Sequence, residues 1–151
     1  MFRVLATVSS VLFAAFAAQA DECDGAFTLL AWTGQGSDYT EAEISDAGNF
    51  AGPALATATD VAAAELVTDY AGSPAVKVVL TEDAAERFAQ ATAGMIGKPM
   101  AIVARGRVLS APIVQDRIAG GQMIVTGGFD RNEARALMAT FDACGAEQEK
   151  Q

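Results

Sequence analysis

The sequence predicts a single α+β domain, a mostly antiparallel sheet with two main helices packed on it. Three observations carry this. Short apolar runs rich in β-formers recur between glycine and proline breaks. Two longer stretches, 81–96 and 130–143, show apolar residues at helical spacing behind capping residues. Two apolar runs separated only by Arg105-Gly106 read as a tight hairpin.

The elements follow in order. Residues 1–20 hold one base, Arg3, an apolar run from Val4 to Ala17, and Ala-Gln-Ala at the end. This reads as a secretory signal peptide cleaved after Ala20; the run is short for a membrane span, and acids follow it at once. An uncleaved anchor is the alternative, and a lipoprotein is disfavoured because Asp21 and Glu22 precede Cys23. No later stretch approaches the roughly 20 apolar residues a transmembrane helix needs. The product is therefore expected to be secreted or periplasmic and not membrane-spanning after cleavage. One domain is expected over 21–145, followed by a polar tail at 146–151.

Phe27 to Trp32 reads as a buried strand. Residues 33–53 are punctuated by glycines, with Ile44 and Phe50 as core anchors and a short helix around 41–46. Thr59-Asp60 would cap a brief helical turn through Ala62, Ala63 and Ala64. Residues 65–69 and 75–80 look like two strands, with Val76, Val78 and Leu80 on one face and Lys77 on the other. Thr81 caps the first main helix, whose inward stripe is Ala84, Phe88, Ala91 and Met95; Gly97 stops it. Asp83 and Arg87 are spaced for an i,i+4 pair.

Residues 100–104 and 107–111 form the hairpin, with Gly106 at positive φ. A two-residue loop pairs Ile102 with Leu109 and Val103 with Val108, leaving both faces nearly apolar. Pro112 ends the ladder, and Gly120-Gly121 turns the chain into a strand at 122–126. Asp130 and Glu133 have capping-box spacing, and Ala134, Leu137, Met138 and Phe141 form the stripe of the final helix, which Gly145 stops.

Cys23 and Cys144 are the two cysteines. An even pair in an oxidising compartment reads as a disulfide. Cys144 also continues the inward stripe of Leu137 and Phe141, which aims it at the first strand. Two free thiols are the alternative.

Composition removes whole classes of chemistry. The net charge is −9, which disfavours nucleic acid and anionic lipid. The acids are uneven: 21–76 carry ten and no base. With no histidine, neither a Ser-His or Cys-His nucleophile nor a His-containing metal site is open. No phosphate loop, nucleophile elbow, CxxC or calcium-loop spacing is present. The chain is expected to be non-catalytic, with no cofactor and no metal. The candidate binding residues are Arg105 and Arg107 at the hairpin tip, Ser110 and Pro112 at the strand end, and Tyr39 in the glycine-rich loop. A proline-stopped strand is the plainer reading of Ser110-Ala111-Pro112. Trp32 is expected in the core.

One ordered set of residues resembles a known family. It runs through Val76, Leu80, Phe88, Thr92, Gly97-Lys98, Ala101-Ile102-Val103, Gly106, Val108, Ser110-Ala111-Pro112 and Gly120-Gly121. Val125-Thr126-Gly127-Gly128-Phe129 is similar to a family pattern I-S-G-N-F, with Glu133-Ala134 after it. Together these resemble the head subdomain of the first periplasmic domain of SecD, the membrane subunit that assists Sec-dependent protein export. The resemblance is clearest over 55–141. Two departures stand out: Asp130 where the family usually has threonine, and Arg105 where it usually has aspartate. The resemblance implies an α+β head, here as a stand-alone secreted domain. It also implies a protein or peptide partner, such as unfolded exported polypeptide, Sec translocon components or an envelope complex. The alternative expectation is a small secreted inhibitor or structural envelope protein acting through its acidic loop at 33–53.

Overall fold

The computed structural model describes Cys23, residues 25–34 and residues 39–145. The expected signal peptide at 1–20 and the polar tail lie outside the described residues. The α+β class is observed, with every strand pairing antiparallel, but the strands divide into two sheets. Composition and spacing do not reveal that division, because it depends on which distant strands pair.

The first sheet has four strands in the order β2-β1-β5-β6: β1 Phe27–Ala31, β2 Ala56–Thr57, β5 Met100–Ala104 and β6 Arg107–Ser110. Alternation along these strands divides their apolar side chains between two layers. Phe27, Leu29, Met100, Ile102 and Ala104 enter the main core. Leu30, Ala101 and Val103 face a second cluster with Phe50, Trp32, Val108 and Ala111. Each residue of β5 is buried because both its faces are covered, while β6 forms the sheet edge. The edge lies beside the short helix α1, Glu41–Ser45, which Thr40 and Glu43 secure as a capping box. Phe50 is buried as expected, and Ile44 only half-buried.

The second sheet has the order β3-β4-β7: β3 Val61–Thr68, β4 Pro74–Leu80 and β7 Gln122–Val125. Val76, Val78 and Leu80 point into the main core, as their spacing predicts. The expected helical turn is displaced. Residues 58–60 form a 3-10 turn, and Ala62, Ala63 and Ala64 are already in β3, paired with β4. Alanine is the best helix former, but propensity is a small energy per residue and cross-strand pairing overrides it.

Both long helices close the main core. Helix α2, Glu82–Ala93, contributes Ala84 and Phe88, with Met95 just beyond its end; helix α3, Arg131–Gly145, contributes Ala134, Leu137, Phe141 and Cys144. The Phe141 ring meets Phe27 edge to face at 4.9 Å. Cys144 forms a disulfide with Cys23, their Cα atoms 5.7 Å apart. With the two cysteines separated by 121 positions, closing the loop stabilises the fold by about 5 kcal/mol in the chain-entropy picture.

Three local expectations are corrected. Arg87 pairs with Asp60 at 2.8 Å, not with Asp83 on its own helix. The hairpin carries a bulge, so Ile102 pairs with Ser110 and not Leu109, while Val103 does pair with Val108. Pairing also resumes past Pro112: its carbonyl accepts from Met100 N at 3.0 Å, and Val114 N donates to the Lys98 carbonyl at 2.9 Å. Proline removes a donor but leaves an acceptor, which suffices here.

The crossing after the hairpin is fixed by Thr92, which is fully buried. Its hydroxyl donates to the Phe88 carbonyl at 2.9 Å and accepts from Ile118 N at 3.1 Å. Gly121 at φ +59 then lies against Ala85, where a Cβ would collide.

Candidate functional site

The β5–β6 hairpin turns through Arg105 at φ 52 and Gly106 at φ 72. Positive φ at both central residues is the type I′ geometry whose twist suits a two-residue hairpin. Glycine adopts it freely. Arginine does not, and Arg105 is the one non-glycine residue at positive φ among those described. Its backbone N–H donates to the Ala26 carbonyl at 3.3 Å, tying the tip to the start of β1.

Below the tip lies a surface cleft of about 210 Å³ lined by Ala104, Arg105, Arg107, Leu109, Phe129, Glu133 and Leu137. Alternation brings Arg107 and Leu109 to it from β6, and Leu137 arrives from the core stripe of α3. Phe129 comes from the loop before α3. Gly127 permits that approach: a Cβ there would come within 3.0 Å of both the Leu109 Cβ and the Phe129 ring. Leu109, Phe129 and Leu137 supply apolar surface, and the two guanidiniums supply charge.

Neither Arg105 nor Arg107 is ion-paired among the described residues. The acid of the cleft, Glu133, is engaged: its carboxylate accepts from Asp130 N at 2.8 Å. Asp130 in turn accepts from Asn132 N at 2.7 Å and Glu133 N at 2.9 Å. The first donors of α3 are therefore satisfied by its own capping box. Positive character in the cleft comes from the arginines and not from the helix end.

The five expected binding residues do not form one cluster. Arg105 and Arg107 share the cleft. Ser110 and Pro112 lie along the sheet edge, half-buried and exposed respectively, and help carry the ladder. Tyr39 packs edge-on against Trp32 at 5.2 Å and donates its hydroxyl to the Gly97 carbonyl at 3.3 Å. Trp32 is half-buried over the second cluster and also meets Phe50 edge-on. Leu109, Phe129, Glu133 and Leu137 were not expected at a site. Their sequence signals were core spacing and a cap, and only the tertiary fold sets them beside the hairpin tip.

Fold and cleft define a small α+β head domain with an amphipathic cleft beside one hairpin. The model of the SecDF P1 head subdomain family matches residues 41–145, and the chain belongs to that family. It is 45% identical over 83 residues to the protein translocase subunit SecD of Rhodobacter capsulatus, covering 55% of this chain and 15% of that one. It is 42% identical over 86 residues to the protein translocase subunit SecDF of Thermus thermophilus, covering 57% of this chain and 12% of that protein. The chain thus spans only 15% and 12% of the length of these two relatives. A solved structure of SecDF, described as a membrane component that enhances protein export, superposes with a TM-score of 0.68 at 25% identity. That superposition covers 87% of this chain and 71% of the other. Among the described residues, no helix is long and apolar enough to cross a membrane.

Proposed function

We propose that this chain is a non-catalytic periplasmic binding module of the SecD-head type that holds segments of unfolded or exported polypeptide. A protein-export or envelope complex is its working context, reached through the signal peptide at 1–20. One observation carries the reading: in a domain of this family, Arg105 and Arg107, with no ion pair among the described residues, line a cleft together with the apolar Leu109, Phe129 and Leu137. Unfolded chains present apolar side chains and backbone together, which suits an open amphipathic surface. At about 210 Å³ the cleft is below the roughly 300–1,000 Å³ typical of small-molecule sites. No comparison supports the alternative of an inhibitor acting through the acidic loop.

The test uses the disulfide-intact domain and one reduced, alkylated protein that cannot refold, with its native form as control. Binding to the unfolded form and not to the native form is expected. Pull-down from periplasmic extract should recover Sec components. Failure to bind the unfolded protein, together with no Sec component recovered, would falsify the reading.

A further inference from the structure

We propose that the cleft beneath the β5–β6 tip captures the C-terminal residue of a polypeptide. The residue's α-carboxylate is held by Arg105 and Arg107, and its apolar side chain rests on Leu109, Phe129 and Leu137. The inference rests on the polypeptide-binding reading above and narrows it to one class of segment.

Size comes first. An apolar cavity of about 150 Å³ accepts benzene, so about 210 Å³ accommodates one aromatic or branched side chain and little more. Charge comes second. Two arginines and one acid line the cleft, and the Glu133 carboxylate is already bound to the Asp130 N–H. The guanidiniums have no ion-pair partner among the described residues, and forked donors suit a carboxylate.

Geometry then selects the source of that carboxylate. In an extended chain successive side chains point to opposite faces, and same-face neighbours lie about 6.5 Å apart. An internal Asp or Glu therefore cannot place its carboxylate and a neighbouring apolar side chain together in a one-residue cleft. A C-terminal residue carries both on a single Cα.

Arg105 supports the assignment from the backbone. It holds a left-handed conformation that asparagine, aspartate or glycine would take at less cost. The turn needs positive φ at 105 as well as at Gly106, and a guanidinium does nothing to supply it. A charged group at the mouth of the cleft is what that residue adds.

The experiment titrates the isotopically labelled, disulfide-intact domain with acetyl-glycyl-glycyl-phenylalanine, followed by amide shifts in NMR. The carboxamide of the same peptide and an amidated peptide with an internal aspartate beside phenylalanine are the comparisons. The free acid should perturb residues 104–109 and 129–137 and bind at least about tenfold more tightly than either comparison, as loss of a charge-assisted contact implies. The preference should collapse in about 1 M salt, where screening acts within about 3 Å. Arg105→Asn with Arg107→Gln should abolish the preference; the salt arm decides the matter should that variant not fold. Equal binding of acid and carboxamide, equal binding of the internal aspartate, or shifts elsewhere would each overturn the inference. If unfolded protein still binds in those cases, the polypeptide-binding reading survives; if it too fails to bind, both fall.

Discussion

The two hairpins of this domain solve one problem in opposite ways. Between β3 and β4, Asp69 secures the turn: its Oδ1 accepts from Ala71 N and Ser73 N, each at 2.8 Å, with Gly72 at φ +87. Between β5 and β6 the first turn position holds Arg105, at positive φ and without such side-chain support. The first turn is shaped by its own side chain. The second gives up that local stabilisation and presents a cation beside an apolar cleft. An arginine at positive φ, where asparagine or glycine would cost less, is the backbone outlier that the proposed carboxylate site would account for.

The comparison concerns the turns and not the strands, and the largest effect tests that. Ile102 on β5 is 2% exposed and Val78 on β4 is fully buried, so both hairpins are anchored in the main core. Ile102→Ala should cost about 2–5 kcal/mol in urea unfolding. A loss below about 1 kcal/mol would mean that the whole tip hairpin is loosely held, and the contrast would then lie in the strands. At the turn itself, Asp69→Ala should cost about 1–2 kcal/mol, because two backbone donors lose their acceptor. Arg105→Asn should act with the opposite sign, stabilising by up to about 1 kcal/mol as strain at positive φ is relieved. The same substitution should weaken binding of the free-acid peptide. Destabilisation by Arg105→Asn would show that the guanidinium serves the fold.

Much of the fold was legible in local spacing, and what was not legible depends on distant partners. The helix stripes, the Asp130–Glu133 box, the buried Cys144 and the Val76–Val78–Leu80 face all follow from periodicities of 3.6 and 2, which a sequence carries within itself. The bulge that shifts Ile102 onto Ser110 does not, since it depends on how the chain rejoins β5 beyond Pro112. Nor does the Arg87–Asp60 pair: Asp83 is the nearer acid in sequence, but Asp60 is brought alongside by the β3 entry turn. Of the site, the two arginines were visible because a basic tip on an apolar hairpin is unusual locally. The cleft floor was not, because Leu109, Phe129 and Leu137 are spaced like any core residues until α3 closes over the main core. Tyr39 lies in a glycine-rich loop whose sequence carries no sign of its contacts with Trp32 and the Gly97 carbonyl.

The smallest effect extends the contrast to acid. Glu43 secures α1 much as Asp69 secures its turn: its Oε2 accepts from the Thr40 hydroxyl at 2.7 Å and from Thr40 N at 3.0 Å. The hydroxyl contact first, and the backbone contact second, hold the Glu43 carboxyl below its ordinary value of 4.5, against a smaller opposing effect of desolvation. A carboxyl depressed on folding binds fewer protons in the native state, so its contribution is present above about 4.5 and is lost as pH falls through the lower folded value. Carboxyl NMR should therefore show Glu43 titrating below 4.5, and amide exchange in α1 should quicken across that window. Glu43→Gln should flatten the dependence. The Arg105 turn is held instead by a backbone contact, Arg105 N to the Ala26 carbonyl at 3.3 Å. Its amides should therefore be indifferent to this step. Equal acid sensitivity in both places would erase the distinction between a chain reversal held by a carboxylate and one that carries a cation for use elsewhere.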